Sequence, residues 1–276
     1  MRKSIALLAV SLLSSACAIV VDDDHFFHPD PPSTTRATFA QPAEDVHLDG
    51  EGGAKLEGVY VRCPNATVDV LYFGGDVFSI DAFGADIASA ACSAGANLFM
   101  IDYRGYGRTS GTPTLPNLKS DALAAFDALR ARNEGRPIVV HGFSMGSFVA
   151  PYVAQHRPVA GLVLESTAPS VKEWADSQVP GYAKPFVKVK IGPLLSAEDN
   201  TRAVGAYCGP LLLVTGDRDR VTPPRFSQKL FDRSCTPAAD KRIAIAPGGN
   251  HGTAFTIASA QQAYREFLAR VAKTGA

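Results

Sequence analysis

The chain carries no net charge: 27 Lys and Arg balance 27 Asp and Glu over 276 residues. Neither a basic stripe for nucleic acid nor an acidic tail for a cationic partner stands out. Nucleic acid is therefore not an expected partner. No segment repeats, which excludes solenoids and propellers. Tryptophan occurs once, at Trp174, and cysteine five times. The apolar run Ile5 to Leu13 falls far short of the roughly 20 residues needed to span a bilayer. What remains is an ordinary globular composition, long enough to bury an ample core.

The first residues read as an export signal. Met1-Arg2-Lys3 is basic, Ile5 to Leu13 is apolar and Ser14-Ser15-Ala16-Cys17 is mostly small, the three-part layout of a secretory signal peptide. Leu13 to Cys17 resembles a bacterial lipobox, in which the cysteine is lipidated after cleavage before it, although the usual leucine sits one place early. Residues 1–17 are thus assigned to a lipoprotein-type signal with Cys17 as the lipidation site. Cleavage after Ala18, through Ala16-Cys17-Ala18, is the alternative. The expected location is a bacterial cell envelope, membrane-anchored by the N-terminal lipid, or else soluble in the periplasm or medium.

Export gives the other cysteines a meaning. Cys63, Cys92, Cys208 and Cys235 form an even set with three possible pairings. Cys63 precedes the apolar run Val68 to Phe73, and Cys92 ends the helix expected after it. Cys208 and Cys235 flank a strand and helix in the same way. A helix that runs antiparallel to its strand returns to the strand's start, so the local pairs Cys63–Cys92 and Cys208–Cys235 are expected.

Residues 18–43 read as a flexible tether, with Asp22-Asp23-Asp24, three prolines (Pro29, Pro31, Pro32) and Ser33-Thr34-Thr35. His25 and His28 beside these aspartates make a poor metal cage without neighbours to orient them. No metal site is expected there. From Glu44 on, strands and Ala-rich helices alternate. Glu44 to Leu48 and Lys55 to Val61 read as antiparallel strands. Buried-strand runs follow at Val68 to Phe73, Leu98 to Asp102, Ile138 to His141, Leu162 to Glu165, Leu211 to Thr215 and Arg242 to Ala246. The expectation is an α/β domain over 44–276: an eight-stranded, mostly parallel sheet with helices on both faces. Residues 168–205, after the sixth strand, have the character of a short cap, with Trp174, scattered proline and the basic amphipathic piece Lys184 to Lys190.

The chemistry centres on Gly142-Phe143-Ser144-Met145-Gly146, which follows the apolar run Ile138-Val139-Val140. G-x-S-x-G at a strand-to-helix turn lifts a serine hydroxyl above the sheet edge, and the glycines remove side chains that would collide in that turn. A serine hydroxyl needs a base within hydrogen-bond reach, and the base needs an orienting acid. His251, in Gly248-Gly249-Asn250-His251-Gly252, is the expected base; it alone of six histidines lies beyond the acid. For the acid, Asp219 in Gly216-Asp217-Arg218-Asp219 is favoured over Asp217, which suits a turn-holding role; Glu165 is the third candidate. The oxyanion donors expected are the backbone N–H groups of Met145 and Asp76, the latter in Phe73-Gly74-Gly75-Asp76. A carboxylate at Asp76 suits such a site only if it turns away.

These motifs, with Asp102-Tyr103-Arg104-Gly105-Tyr106-Gly107-Arg108-Thr109-Ser110-Gly111-Thr112-Pro113, resemble a serine hydrolase of the α/β-hydrolase superfamily. The closest likeness is to the serine-aminopeptidase-like (S33) and Bem46-like group, over Glu44 to the C-terminus. The chain departs at Gly74, where the family has histidine. The resemblance implies the α/β-hydrolase fold and cleavage of a carboxylic ester or thioester through an acyl-enzyme, without cofactor or metal, on a small-molecule acyl ester or acylated substrate. It places Asp102 to Pro113 beside the site. There Tyr103 and Tyr106 shape an acyl pocket or pack the loop, and Arg104 bridges to a carboxylate. The rival readings are an exported serine peptidase of the same fold, which needs an anionic group such as Glu173 or Asp176 to hold a substrate N-terminus, and a non-catalytic acyl- or partner-binding lipoprotein.

Overall fold

The computed structural model describes residues 17–29 and 35–275, and the expected export segment 1–17 lies outside them except for Cys17. In chain order the strands are β1 (Cys17–Val21), β2 (Ala43–Asp49), β3 (Lys55–Val61), β4 (Val68–Phe73), β5 (Ala96–Ile101), β6 (Ile138–Phe143), β7 (Gly161–Glu165), β8 (Val187–Ile191), β9 (Leu211–Gly216) and β10 (Lys241–Ala246). Eight of them form one sheet in the order β10-β9-β7-β6-β4-β5-β3-β2. It is parallel from β10 to β5, with β3 and β2 antiparallel at the edge. These are the eight strands read from the sequence, within a residue or two at each end.

Every residue of β4, β5, β7 and β9 is buried, because helices cover both faces of a parallel sheet. The side-chain alternation sorts residues into two cores. Leu71, Phe73, Val140, Leu164 and Leu213 join the helices Leu115–Arg132 and Ala150–His156. Val70, Tyr72, Val139, Leu212 and Val214 join the helices Ile80–Ser93 and Ala258–Thr274. Each fully buried aliphatic side chain contributes about 1.5–3 kcal/mol. Helix starts are fixed locally: Ser79 Oγ accepts from the Ala82 N–H and Thr114 Oγ1 from the Asn117 N–H. The two local cysteine pairs are bonded, with Cα separations of 5.1 Å for Cys63–Cys92 and 4.9 Å for Cys208–Cys235.

One expectation is corrected. The segment 18–43, read as a free tether, is laid onto the domain wherever it is described. β1 pairs in parallel with β8, Ile19 against Val189 and Val21 against Ile191. A helical turn, Asp23–Phe26, follows, and Phe26 and Phe27 are buried in the core. Farther on, the Ala37 N–H donates to Asp81 Oδ1 and Phe39 packs beside Gly84. The aspartates and prolines that argued for a solvated linker flank two adjacent phenylalanines, and burying those outweighs the polar bias of the rest. Lys184 to Lys190 contributes β8, whose Val187, Val189 and Ile191 are half-buried while Lys188 and Lys190 are exposed.

The topology places a crevice at one point. β5 lies on one side of β4 and β6 on the other, so the loops leaving the carboxyl ends of β4 and β6 diverge. Ligands of open α/β sheets bind at such switch points. Gly74-Gly75-Asp76 leaves β4 there, and Ser144 leaves β6.

Candidate active site

Ser144 has φ +50°, in the left-handed region that L-residues rarely adopt. The turn that holds it leaves no room for side chains at its flanks. A Cβ on Gly142 would lie 2.3 Å from the Gly146 carbonyl oxygen, and one on Gly146 would lie 2.1 Å from that of Phe73. The turn is fastened by the Gly146 N–H, which donates to the Gly74 carbonyl at 3.0 Å, and by Ser147 Oγ, which donates to the Ser144 carbonyl at 2.6 Å.

Two later loops converge on this serine. His251, after β10, places Nε2 2.9 Å from Ser144 Oγ and Nδ1 3.0 Å from Asp219 Oδ2. Asp219, after β9, is buried and also accepts from the Val221 N–H (2.9 Å), the Thr222 N–H (2.8 Å) and Thr222 Oγ1 (2.8 Å). Burial pushes its carboxyl pKa up, but the hydrogen bonds of His251 and Thr222 and the His251 charge outweigh that, leaving it below the ordinary value. Asp217 stands apart: its Oδ1 accepts from the Gly248 N–H at 2.7 Å, tying the β9 loop to the loop that carries His251. Glu165 faces His141 at 3.2 Å. The sequence reading passed over Thr222, whose Oγ1 is within 3.1 Å of His251 Nδ1 as well. The signal was present in Val221-Thr222-Pro223-Pro224, a hydroxyl three residues beyond the acid in a proline-fixed turn.

The β4 loop has its own logic. A Cβ on Gly74 would lie 2.1 Å from Phe78 Cγ, so no side chain has room here. The loop is held by Tyr103, whose hydroxyl donates to the Gly74 carbonyl at 2.9 Å. The Asp76 carboxylate is directed to other partners: it accepts from the Tyr106 hydroxyl (2.8 Å) and the His28 N–H (2.8 Å), and lies 2.6 Å from His28 Nδ1. Tyr103 and Tyr106 are thus buried loop-holding residues. Arg104 bridges to Asp121 at 2.6 and 2.7 Å, the carboxylate partner expected for it. Asp102 accepts from the Ile80 N–H (2.8 Å) and the Arg108 N–H (2.9 Å). Gly107, at φ +49°, allows this approach, since a Cβ there would lie 2.3 Å from Asp102 Oδ2. Burial raises the Asp102 pKa to about 6, partly offset by those two backbone donors.

Two chambers meet at Ser144 and His251. The smaller, about 230 Å³, lies under the N-terminal segment and is bounded by His25, Phe26, Met145, Phe148 and Trp174. Phe26 stands edge-on to Trp174 and Phe148, at ring separations of 5.9 and 6.2 Å. The larger, about 680 Å³, runs the other way along the helix Ile80–Ser93, past Phe83, Ile87, Phe143 and Phe255. Glu173 and Asp176 are engaged in ion pairs with Lys229 and Lys172. Among the described residues no helix is long and apolar enough to cross a membrane.

Residues 79–200 match the family described as serine aminopeptidase, S33. The chain is 28% identical to the uncharacterised protein YfhR of Escherichia coli (strain K12) over 224 residues, 78% of this chain and 75% of the relative. It is 28% identical to the alpha/beta hydrolase domain-containing protein 17B of Homo sapiens over 188 residues, 67% and 62% of the two chains. Among solved structures, the esterase Pf2001 of Pyrococcus furiosus superposes with a TM-score of 0.69 at 20% identity, covering 90% of this chain and 98% of that one. Est1E of Butyrivibrio proteoclasticus with ferulic acid bound gives 0.66 at 16% identity, covering 82% and 98%.

Proposed function

Because the chain has the α/β-hydrolase fold and residues 79–200 match the serine aminopeptidase, S33, family, we propose that it is a serine hydrolase that cleaves carboxylic esters or thioesters through an acyl-enzyme. The observation that carries this reading is the continuous chain Ser144 Oγ–His251 Nε2 (2.9 Å) and His251 Nδ1–Asp219 Oδ2 (3.0 Å), opening onto two apolar-lined chambers. Ser144 Oγ attacks the carbonyl carbon while His251 Nε2 takes its proton. Asp219 holds the imidazole with Nδ1 protonated and stabilises the imidazolium that forms. The Met145 and Asp76 N–H groups donate to the tetrahedral oxyanion, each worth about a hundredfold or more in rate. The intermediate collapses as His251 returns its proton to the leaving oxygen or sulfur. Water, deprotonated by His251, then releases the acid and restores Ser144.

The role assigned to Asp76 is supported by its carboxylate being held by Tyr106 and His28; the group offered to the oxyanion is the main-chain N–H alone. Two disulfides favour an oxidising, exported location. Cys17 as a lipid-bearing residue fits that location. A fluorophosphonate probe tests the reading: it should label the wild-type protein and leave Ser144→Ala unlabelled. Labelling of Ser144→Ala, or no hydrolysis of any short-chain aryl ester, sinks it. Peptidase action on this fold is disfavoured by the ion pairs that occupy Glu173 and Asp176. Aminoacyl anilides assayed beside acyl esters decide between the two.

A further inference from the structure

The larger chamber is lined in part by a polar cluster that the proposed reaction does not use. It includes His141 and Glu165, 2% and 5% exposed, from the adjacent strands β6 and β7. His141 Nε2 lies 3.2 Å from Glu165 Oε2, yet the pair is out of hydrogen-bond alignment, and Nε2 is buried without a partner among the described residues. Tyr72 and Tyr264 line the same chamber. Burial first, and the Glu165 charge second, push both phenol pKa values up. Three aromatic rings surround the imidazole, Tyr72, Phe255 and Tyr264, at separations of 5.0, 5.4 and 5.4 Å. Such a site holds a carboxylate, an imidazole and two phenols with few bonds among themselves. Buried polar groups are rarely left so in the working state of a protein.

Phe83, Ile87, Phe143 and Phe255 give the chamber aromatic and aliphatic walls, and the charged residues Asp86 and Arg265 also line it. A ring packed against the apolar part of this wall can present a polar substituent to the His141–Glu165 cluster. The chemistry of that substituent follows from the donor and acceptor inventory. A hydroxyl donates its one proton to Glu165 and accepts from a tyrosyl O–H or from His141 carrying its proton on Nε2. An ammonium pairs with the Glu165 carboxylate but, having donors only, offers no acceptor to His141 carrying its proton on Nε2. A plain hydrocarbon leaves all of them unpaired, which costs more than its burial returns.

We infer that this chamber binds a hydroxyaryl group, so that the preferred substrate carries a hydroxylated aromatic ring on one side of the scissile bond. This rests on the serine hydrolase reading for the reaction, and on the chamber alone for the ring. Matched esters test it: methyl 3-(4-hydroxyphenyl)propanoate against methyl 3-phenylpropanoate for the acyl side, and 4-hydroxyphenethyl acetate against phenethyl acetate for the alcohol side. The expected result is a kcat/KM preference of at least about tenfold for the hydroxylated member of one series. Tyr264→Phe and Glu165→Gln should each collapse that ratio toward one. Equal rates within both series, a preference for the 4-(aminomethyl) analogue, or a ratio untouched by both substitutions overturns the inference while leaving the serine hydrolase reading standing. Binding separates the two further. Calorimetric titration of Ser144→Ala with 3-(4-hydroxyphenyl)propanoate and 3-phenylpropanoate needs no turnover. Tighter binding of the hydroxylated acid, by about fivefold or more, supports the site even in a protein that hydrolyses nothing; equal binding removes it.

Discussion

His28 and Asp76, 48 positions apart, are joined twice: the His28 N–H donates to Asp76 Oδ1 at 2.8 Å, and His28 Nδ1 lies 2.6 Å from Oδ2. The join clips the N-terminal segment across the smaller chamber and draws the Asp76 carboxylate to that segment. Removing the imidazole in His28→Ala takes away one of the two contacts, worth up to about 1 kcal/mol for a pair this exposed. Amide hydrogens of residues 22–28 should then exchange up to about fivefold faster, with the loop around Asp219 unchanged. Unaltered protection in that segment would show that β1 and the two phenylalanines hold it without His28.

Asp76 should act through its backbone. Asp76→Asn keeps the N–H and is expected to stay within about tenfold of wild-type kcat on a short aryl ester. Asp76→Pro deletes the donor and should cost a hundredfold or more. Circular dichroism must show both variants folded. Comparable losses in the two variants would assign the effect to the carboxylate and count against the donor role.

Thr222 touches both partners of its loop, donating to Asp219 Oδ2 at 2.8 Å with its oxygen 3.1 Å from His251 Nδ1. Thr222→Val keeps the volume and drops the hydroxyl, so kcat should fall about tenfold, with KM little changed. Thr222→Ser should restore most of it. A loss confined to thermal stability would mark the hydroxyl as structural.

The parallel sheet was legible because each buried strand forms an apolar run bounded by turn residues, and the serine, acid and base fall at the ends of three of them. Chain order carried that information. The N-terminal segment was not legible, since its docking depends on Phe26 meeting Phe148 and Trp174, residues separated from it by more than a hundred positions. Local composition argued for a linker, and tertiary burial prevailed. Gly74 shows the reverse limit. The sequence marks it as a departure, but only the position of Phe78, whose Cγ would lie 2.1 Å from an added Cβ, explains why no side chain is accepted. The under-bonded cluster of His141 and Glu165 was invisible for a related reason: a motif names residues, not the hydrogen bonds they lack.

The two disulfides close loops with sequence separations of 29 and 27. The chain-entropy model assigns each on the order of 3–4 kcal/mol. Cys63→Ser/Cys92→Ser and Cys208→Ser/Cys235→Ser should each lower the free energy of unfolding by about that amount. The sites lie in separate loops, so the losses should add. Urea unfolding of the two double variants and the quadruple variant checks this. A reducing agent that leaves wild-type unfolding unchanged would show that the bonds contribute nothing.

Asp102 carries a pH dependence of definite sign. Its carboxyl moves from an ordinary 3.8 to about 6 on folding, because burial outweighs the two N–H donors. Between those values the folded state holds a proton that the unfolded state has released. Stability from this group is therefore fully present below about 4 and lost as the pH rises through 6, a fall on the order of 3 kcal/mol. Asp219 and Asp81, whose pKa values are lowered on folding, work in the opposite direction: their contributions are present above the unfolded value and disappear as the pH falls through the folded one. Asp102→Asn isolates the first effect. The amide cannot titrate, so the unfolding free energy of the variant minus that of wild type should rise by about 2.4 kcal/mol between pH 4 and pH 7. That holds even though the variant starts lower, having exchanged one acceptor for a donor facing the Ile80 and Arg108 N–H groups. A difference that stays flat across this range would mean that Asp102 is ionised throughout, with its two backbone donors sufficient to hold the charge.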